Sequence, residues 1–195
     1  MRTIAIFDFD GTLTQKDTFI EFIRFCHGSF NLYLGLIILS PYLVSYKLKL
    51  YPNYKAKQKV FSFFFKGMKY DVFFKKGNSF APIISSFLKQ KQIEILKEHQ
   101  IQGHDIYIVS ASIKEWIKPW CVLNGINNVI CTEIEIDNNK QLTGKFKTKN
   151  CYGDEKVKRF IESEPYRESY YLYAYGDSEG DKAILNFADK GIMCK

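Results

Sequence analysis

The chain has 195 residues, 46% of them apolar and 25% charged, with only 12 Gly and 5 Pro. That composition fits one folded domain carrying an insertion and excludes a disordered, collagen-like or repeat-built polypeptide. With 28 basic against 21 acidic residues the net charge is +7, and residues 47–76 alone hold nine lysines against Asp71, so this stretch attracts an anion: nucleic acid, an acidic membrane surface or a phosphorylated substrate. Five scattered cysteines, Cys26, Cys121, Cys131, Cys151 and Cys194, form neither a disulfide framework nor a Cys-x-x-Cys metal site. A lone Arg2 precedes an apolar run too short for a signal peptide, and the expected compartment is a reducing cytoplasm.

Residues 4–7 are apolar and run into Asp8-Phe9-Asp10-Gly11-Thr12, which reads as a buried strand and a turn. From about residue 19 to 89 there is no strand-turn rhythm, but Val60, Phe61, Phe64, Phe65 and Met68 recur at helical spacing. The expected division is therefore a core of residues 1–14 and 90–195 with a helical cap, 15–89, inserted after the first strand. Inside the cap, residues 25–46 carry no Asp, Glu, Lys or Arg and are long enough to cross a bilayer. A single crossing would separate the turns at Asp8 and Ser110, and Asn31, Ser40, Pro41 and Ser45 interrupt the run. The expectation is a buried hairpin broken near Ser40-Pro41, with lipid contact at its surface as the lesser alternative.

Helical patterns at 93–101, 157–161 and 183–187 alternate with apolar runs at 106–109, 170–175 and 192–194. This is the rhythm of an α/β fold, a three-layer Rossmann-like parallel sheet covered on both faces. Residues 132–147 alternate apolar and polar around Asp137-Asn138-Asn139-Lys140, a β-hairpin signal ahead of Lys156.

Asp8 and Asp10, two apart at a strand end, are expected to converge on one side of the pleat. Alone they also suit an ordinary Asp-Gly turn. Asp177 and Asp181 add a second acidic pair after another strand, and Ser110 ends a third, all at the edge where open parallel sheets bind ligands. Four such acids repel one another unless a cation intervenes, and Mg²⁺ suits carboxylate, water and phosphate oxygens. Lys156, at a helix start, offers the point charge a phosphate needs.

At this point the sequence resembles the haloacid dehalogenase superfamily, in particular its phosphoserine-phosphatase-like subgroup. Phe7-Asp8-Phe9-Asp10-Gly11-Thr12-Leu13-Thr14 is similar to the first motif, Val109-Ser110-Ala111-Ser112 to the second, Lys156 with Gly153 before it to the third, and Tyr175-Gly176-Asp177-Ser178-Glu179-Gly180-Asp181 to the fourth. The resemblance implies a Mg²⁺-dependent phosphatase of a small phosphorylated metabolite. In it Asp8 is the nucleophile that forms an aspartyl-phosphate, and Asp10 protonates the leaving alkoxide and then activates water. It further implies metal ligation by Asp8, the Asp10 carbonyl and Asp177, phosphate binding by Thr12, Ser110 and Lys156, and support from Asp181. Asp17 matches the place of a glutamate that senses the substrate amine in phosphoserine phosphatases. The second acid favours phosphate over halide, because a departing halide needs no proton.

A phosphotransferase or phosphomutase would keep the same acids. A rival of another class is a nucleic-acid or anionic-lipid binding module with a vestigial site, since aromatics such as Phe63, Phe64, Phe65, Phe73 and Phe74 interleave with the cap lysines. At helical spacing they are read as cap core, and no stable nucleic-acid complex is expected. The three histidines, His27, His99 and His104, lack metal-helix spacing. The motifs leave the oligomeric state open.

Overall fold

The computed structural model describes residues 2–48 and 50–194; Met1, Lys49 and Lys195 lie outside it, Lys49 being one lysine of the basic stretch. Five parallel strands form one sheet in the order β3-β2-β1-β6-β7: β1 (Arg2–Phe7), β2 (Asp105–Ile113), β3 (Asn128–Thr132), β6 (Tyr170–Gly176) and β7 (Lys190–Met193). Alternation sorts the central strand between two layers. Ala5 and Phe7 face one apolar cluster with Ile106, Ile108 and Tyr175, and Ile4 and Ile6 face the other with Tyr107, Val109, Leu172 and Ala174. The first face is covered by α5 (Gln90–Ile101) and α6 (Lys114–Leu123), the second by α7 (Asp154–Ser163) and α8 (Lys182–Phe187). The fold is the expected three-layer α/β arrangement, and the expected hairpin is β4 (Ile134–Ile136) with β5 (Leu142–Phe146), antiparallel. It pairs with the helical insertion through Gly67 N–H to Leu142 O and Leu142 N–H to Met68 O.

Between β1 and α5 lie α1 (Thr18–Ile38), α2 (Ser40–Lys47), α3 (Asn53–Phe65) and α4 (Tyr70–Ile84). Asp17 starts α1 by accepting from the backbone N–H groups of Phe19 and Ile20, satisfying two donors a helix end leaves open. Gly28, at φ +80°, breaks α1 in the middle. Before the break Thr18, Phe19, Phe22 and Ile23 are buried; beyond it only Leu32 and Gly35 are. The chain then bends by 65° into α2, which buries none of its residues.

The break near Ser40-Pro41 is therefore where the sequence places it, but the expected buried hairpin is not. On its inner side the segment packs against α3, where Gly35 lies close to Phe63 and Phe64, while Phe30, Tyr33, Leu34, Ile37, Ile38 and Val44 are exposed. No single helix among the described residues is long and apolar enough to cross a membrane. The aromatic expectation also divides: Phe65 and Phe73 are fully buried with Phe22, Phe61 and Phe80, whereas Phe63 and Phe74 are exposed.

Two elements had no counterpart in the sequence reading, α6 and β3. The former contributes Trp116 and Trp120, both buried, and Trp116 stacks on Phe22 at 4.4 Å, so the helical insertion and the sheet layer share one apolar cluster. At the start of α6, Glu115 is buried and its Oε2 lacks a hydrogen-bond partner, and burial pushes its carboxyl up from 4.5 to about 7. A raised carboxyl pKa favours the protonated folded state. The resulting stability is complete below the unfolded value near 4.5 and is lost as pH rises through 7. Glu115→Gln should flatten the fall in Tm between pH 5 and 8, an effect on the order of 2 to 3 kcal/mol at pH 8. Thermal unfolding of both proteins across that range tests this, and parallel curves would refute it.

Candidate active site

The chemistry-bearing residues gather at the carboxyl ends of β1, β2 and β6. Asp8 and Asp10 lie past the end of β1, and Asp8 N–H still donates to Tyr175 O at 2.9 Å, extending the β1–β6 ladder by one step. Gly11 turns the chain at φ +84°, and a Cβ there would sit 2.2 Å from Asp177 Oδ2, so the turn tolerates no side chain. Ser110 and Ser112 lie on β2, Lys156 is in the first turn of α7, and Asp177 and Asp181 follow β6.

Lys156 is the hub. Its Nζ donates to Asp8 Oδ1 and Asp181 Oδ1, each at 2.6 Å, and its side chain is 2% exposed. Burial disfavours the ammonium, but Asp8 and Asp181 outweigh it and hold Lys156 protonated well above its usual range. Asp181 is fixed further: its Oδ2 accepts from Ser178 N–H at 2.9 Å and Ser178 Oγ at 2.8 Å. Burial alone would raise its carboxyl, yet Lys156 and Ser178 hold it below the usual value. For Asp8 burial prevails over Lys156 and lifts the pKa to about 7.

Asp8 and Asp10 border one pocket, but Asp10 has hydrogen-bond partners of its own, separate from Lys156. Beyond the strand the chain turns, and Asp10 Oδ1 accepts from Thr18 N–H at 2.8 Å while Oδ2 accepts from the Ser112 hydroxyl. Ser112 Oγ is 3.0 Å from Thr18 Oγ1, which in turn accepts from Trp116 Nε1 at 3.1 Å. Burial, reinforced by the charge of Asp17, raises Asp10 to about 6 against the pull of Ser112 and Thr18. Sequence reasoning missed this buried relay. Ser112 stood inside the quoted second motif and was the available signal, whereas nothing local marks Thr18 or Trp116.

Carboxylate oxygens of Asp8, Asp177 and Asp181 lie within 4.8 Å of one another, a set of hard oxygen donors that fits Mg²⁺. Burial also raises Asp177, the strain a cation would relieve. The Asp10 carboxylate is no part of this cluster. Thr12 Oγ1 lies 3.0 Å from Asp177 Oδ1 and 3.4 Å from Asp8 Oδ2, so the hydroxyl faces the carboxylates. Ser110 Oγ accepts from Ser112 N–H at 3.0 Å and borders the pocket.

That pocket, about 390 Å³, reaches Asp8, Asp10, Ser110 and Lys156 at its floor, and Phe19, Ile20, Leu36, Leu43 and Val60 line its other wall. Two charged groups join it from the helical side. Lys57 crosses to donate to Ala111 O at 3.0 Å over the Phe19 ring, and Asp17 borders it while capping α1.

The sequence matches the model of the haloacid dehalogenase-like hydrolase family over residues 5–186. Over 191 residues it is 28% identical to Protein CicA of Caulobacter vibrioides, a match covering 96% of this chain and 83% of that protein. Among solved structures, a protein with unknown function from Bordetella pertussis Tohama I superposes with a TM-score of 0.81 at 18% identity, over 95% of this chain and 86% of that one. A phospho-aspartyl intermediate analogue of phosphoserine phosphatase superposes with a TM-score of 0.67 at 16% identity, over 96% and 83%. At these identities the structural likeness is one of fold. The family match runs from the first strand to the last helix and takes in every motif that meets at the pocket; the chain belongs to the haloacid dehalogenase-like hydrolase family.

Proposed function

We propose that the chain is a Mg²⁺-dependent phosphatase that hydrolyses a small phosphomonoester through an aspartyl-phosphate on Asp8. The observation that carries this reading is the division of labour between the two motif carboxylates at one pocket: Asp8 is held by Lys156, and Asp10 by Ser112 and Thr18. A nucleophile must be anionic and aimed: the Lys156 ammonium 2.6 Å from Asp8 aims it and opposes the rise that burial imposes, and a bound Mg²⁺ would favour the anion further. A proton donor must be protonated part of the time near neutrality, and Asp10 is raised to about 6. It gives its proton to the leaving oxygen and recovers one from the water that attacks the acyl phosphate. The fold likeness to the phosphoserine phosphatase intermediate analogue is consistent with this course.

Asp8, Asp177 and the backbone carbonyl of Asp10 would hold Mg²⁺, whose charge lets an anionic nucleophile approach an anionic phosphate. Lys156 and Ser110 take the phosphoryl oxygens, and Asp181 keeps Lys156 in place. Thr12 acts on the carboxylates it faces more than on the substrate. Residues 15–89 are the cap, whose apolar wall, Phe19, Ile20, Leu36, Leu43 and Val60, selects a compact substrate with an apolar part. Asp17 already accepts two backbone N–H groups through Oδ1, which weakens the case for an amine-sensing role.

Phosphate release from a panel of phosphomonoesters, with Mg²⁺ and with chelator, tests the reading; no release from any of them would overturn it. Asp10→Asn should cost on the order of 10² to 10⁴ in rate on an alkyl phosphate. It should cost less on an aryl phosphate, whose leaving group needs no proton. Equal losses in single-turnover phosphoryl transfer would remove Asp10 from the acid role.

A further inference from the structure

The second half of α1 and α2 expose apolar side chains on their outer as well as their inner side, with Ser29, Asn31, Ser40 and Lys47 as exposed polar positions among them. Leu32, Gly35, Leu36, Leu39 and Leu43 turn inward at helical spacing, fully or partly buried. The outward positions of a surface helix are ordinarily polar. Here they include Phe30, 79% exposed, and Ile37, 69%, with Tyr33, Leu34, Ile38 and Val44 also exposed, and Leu48, 64% exposed, follows directly after α2. Contiguous apolar surface of this kind marks an interaction site.

The surrounding charge says what kind. From residue 25 to residue 70 the sequence contains no Asp or Glu, while Lys47, Lys55, Lys59 and Lys66 are exposed. Lys59 Nζ sits 5.2 Å from the ring centre of Tyr42 on α2, so the basic set borders the apolar face directly. A second copy of the chain docked here would bring lysines against lysines. An anionic bilayer surface satisfies both features together, apolar side chains entering the acyl boundary and lysines meeting headgroup phosphates. The 65° bend between α1 and α2 suits a pair lying in the interface and not one crossing it.

We infer that this helix pair docks the protein on anionic membrane surfaces, apolar face down. Leu36, Leu43 and Tyr46 of the same pair also line the catalytic pocket, so the helices that dock are themselves a wall of the site. The inference does not depend on the phosphatase reading, and its test measures binding.

The test is co-sedimentation with vesicles of phosphatidylcholine alone and of phosphatidylcholine containing about one third phosphatidylglycerol. Binding to the anionic vesicles is expected, weakening as salt rises past about 0.1 M. Phe30→Ser with Ile37→Ser, neither of them a pocket residue, should lower partition at least about tenfold with unchanged Tm and phosphate release. Lys55→Glu with Lys59→Glu should abolish the preference for anionic lipid. As a gain-of-signal measure, Ile37→Trp should shift its emission to the blue on anionic vesicles, because the native Trp116 and Trp120 are buried and give a fixed background. No binding, binding indifferent to lipid charge, or a dimer in solution that the Phe30→Ser, Ile37→Ser protein no longer forms would each overturn the inference.

Discussion

Asp8→Asn should abolish phosphate release, by at least about 10⁴-fold, while the protein still unfolds within a few degrees of the parent. The two halves of that expectation have separate causes. An amide cannot attack phosphorus, so no aspartyl-phosphate forms, and loss of the anion also removes a metal ligand. The fold, however, barely depends on the charge at this position. Burial already works against the Asp8 anion, raising it to about 7, so a neutral side chain of the same shape escapes that penalty. Its amide oxygen can still accept from Lys156, which keeps Asp181 at 2.6 Å. Phosphate release in steady state and a trapped phosphoenzyme assay, each beside a thermal unfolding curve, make the measurement. Turnover within tenfold of the parent would exclude Asp8 as the nucleophile, and a collapsed Tm would mean that its ion pair supports the fold.

The strands of the sheet were legible because a parallel strand covered on both faces needs a continuous apolar run, and β1 and β6 are such runs, followed by Asp8 and closed by Gly176, while the apolar run of β2 meets Ser110 three residues before the strand ends at Ile113. The same punctuation exposed the site, since the residues that interrupt or follow those apolar runs are the ones at the ligand edge. β3 was hidden because it is five residues long with Asn and Thr at its ends. α6 was hidden because Pro119 interrupts a pattern, Trp116, Ile117, Trp120 and Cys121, that is otherwise helical. What Asp10 does could not be read locally: its partner Ser112 is 102 residues away, and its other partner, Thr18, belongs to the start of α1. The exposure of α1 and α2 escaped for a different reason. Periodicity locates a buried face by contrast with a polar one, and residues 25–46 offer no charged position to supply the contrast.

Lys156→Met should bring the largest loss of stability of any single change in the pocket, on the order of 3 to 5 kcal/mol at pH 8. In a chain of this size that is a fall in Tm of roughly 6 to 20 °C. Methionine replaces the volume but leaves Asp8 and Asp181, both buried, facing each other without the ammonium that lies 2.6 Å from each. The pH dependence identifies the cause. Without Lys156, burial and the neighbouring carboxylate push Asp8 above its present value of about 7. A carboxyl raised in the folded state leaves stability intact below its unfolded pKa near 3.8 and removes it as pH climbs through the folded value. The deficit relative to the parent should therefore be small at pH 5, where protonation of Asp8 relieves the repulsion, and full at pH 8. Mg²⁺ should restore part of the lost Tm at pH 8 without restoring turnover, because it can neutralise the carboxylates but cannot take the place of Lys156 on the phosphoryl oxygens. Unfolding curves at both pH values, with chelator and with Mg²⁺, decide the point. A deficit equal at pH 5 and pH 8 would assign Lys156 a packing role and detach it from the charge balance of the site.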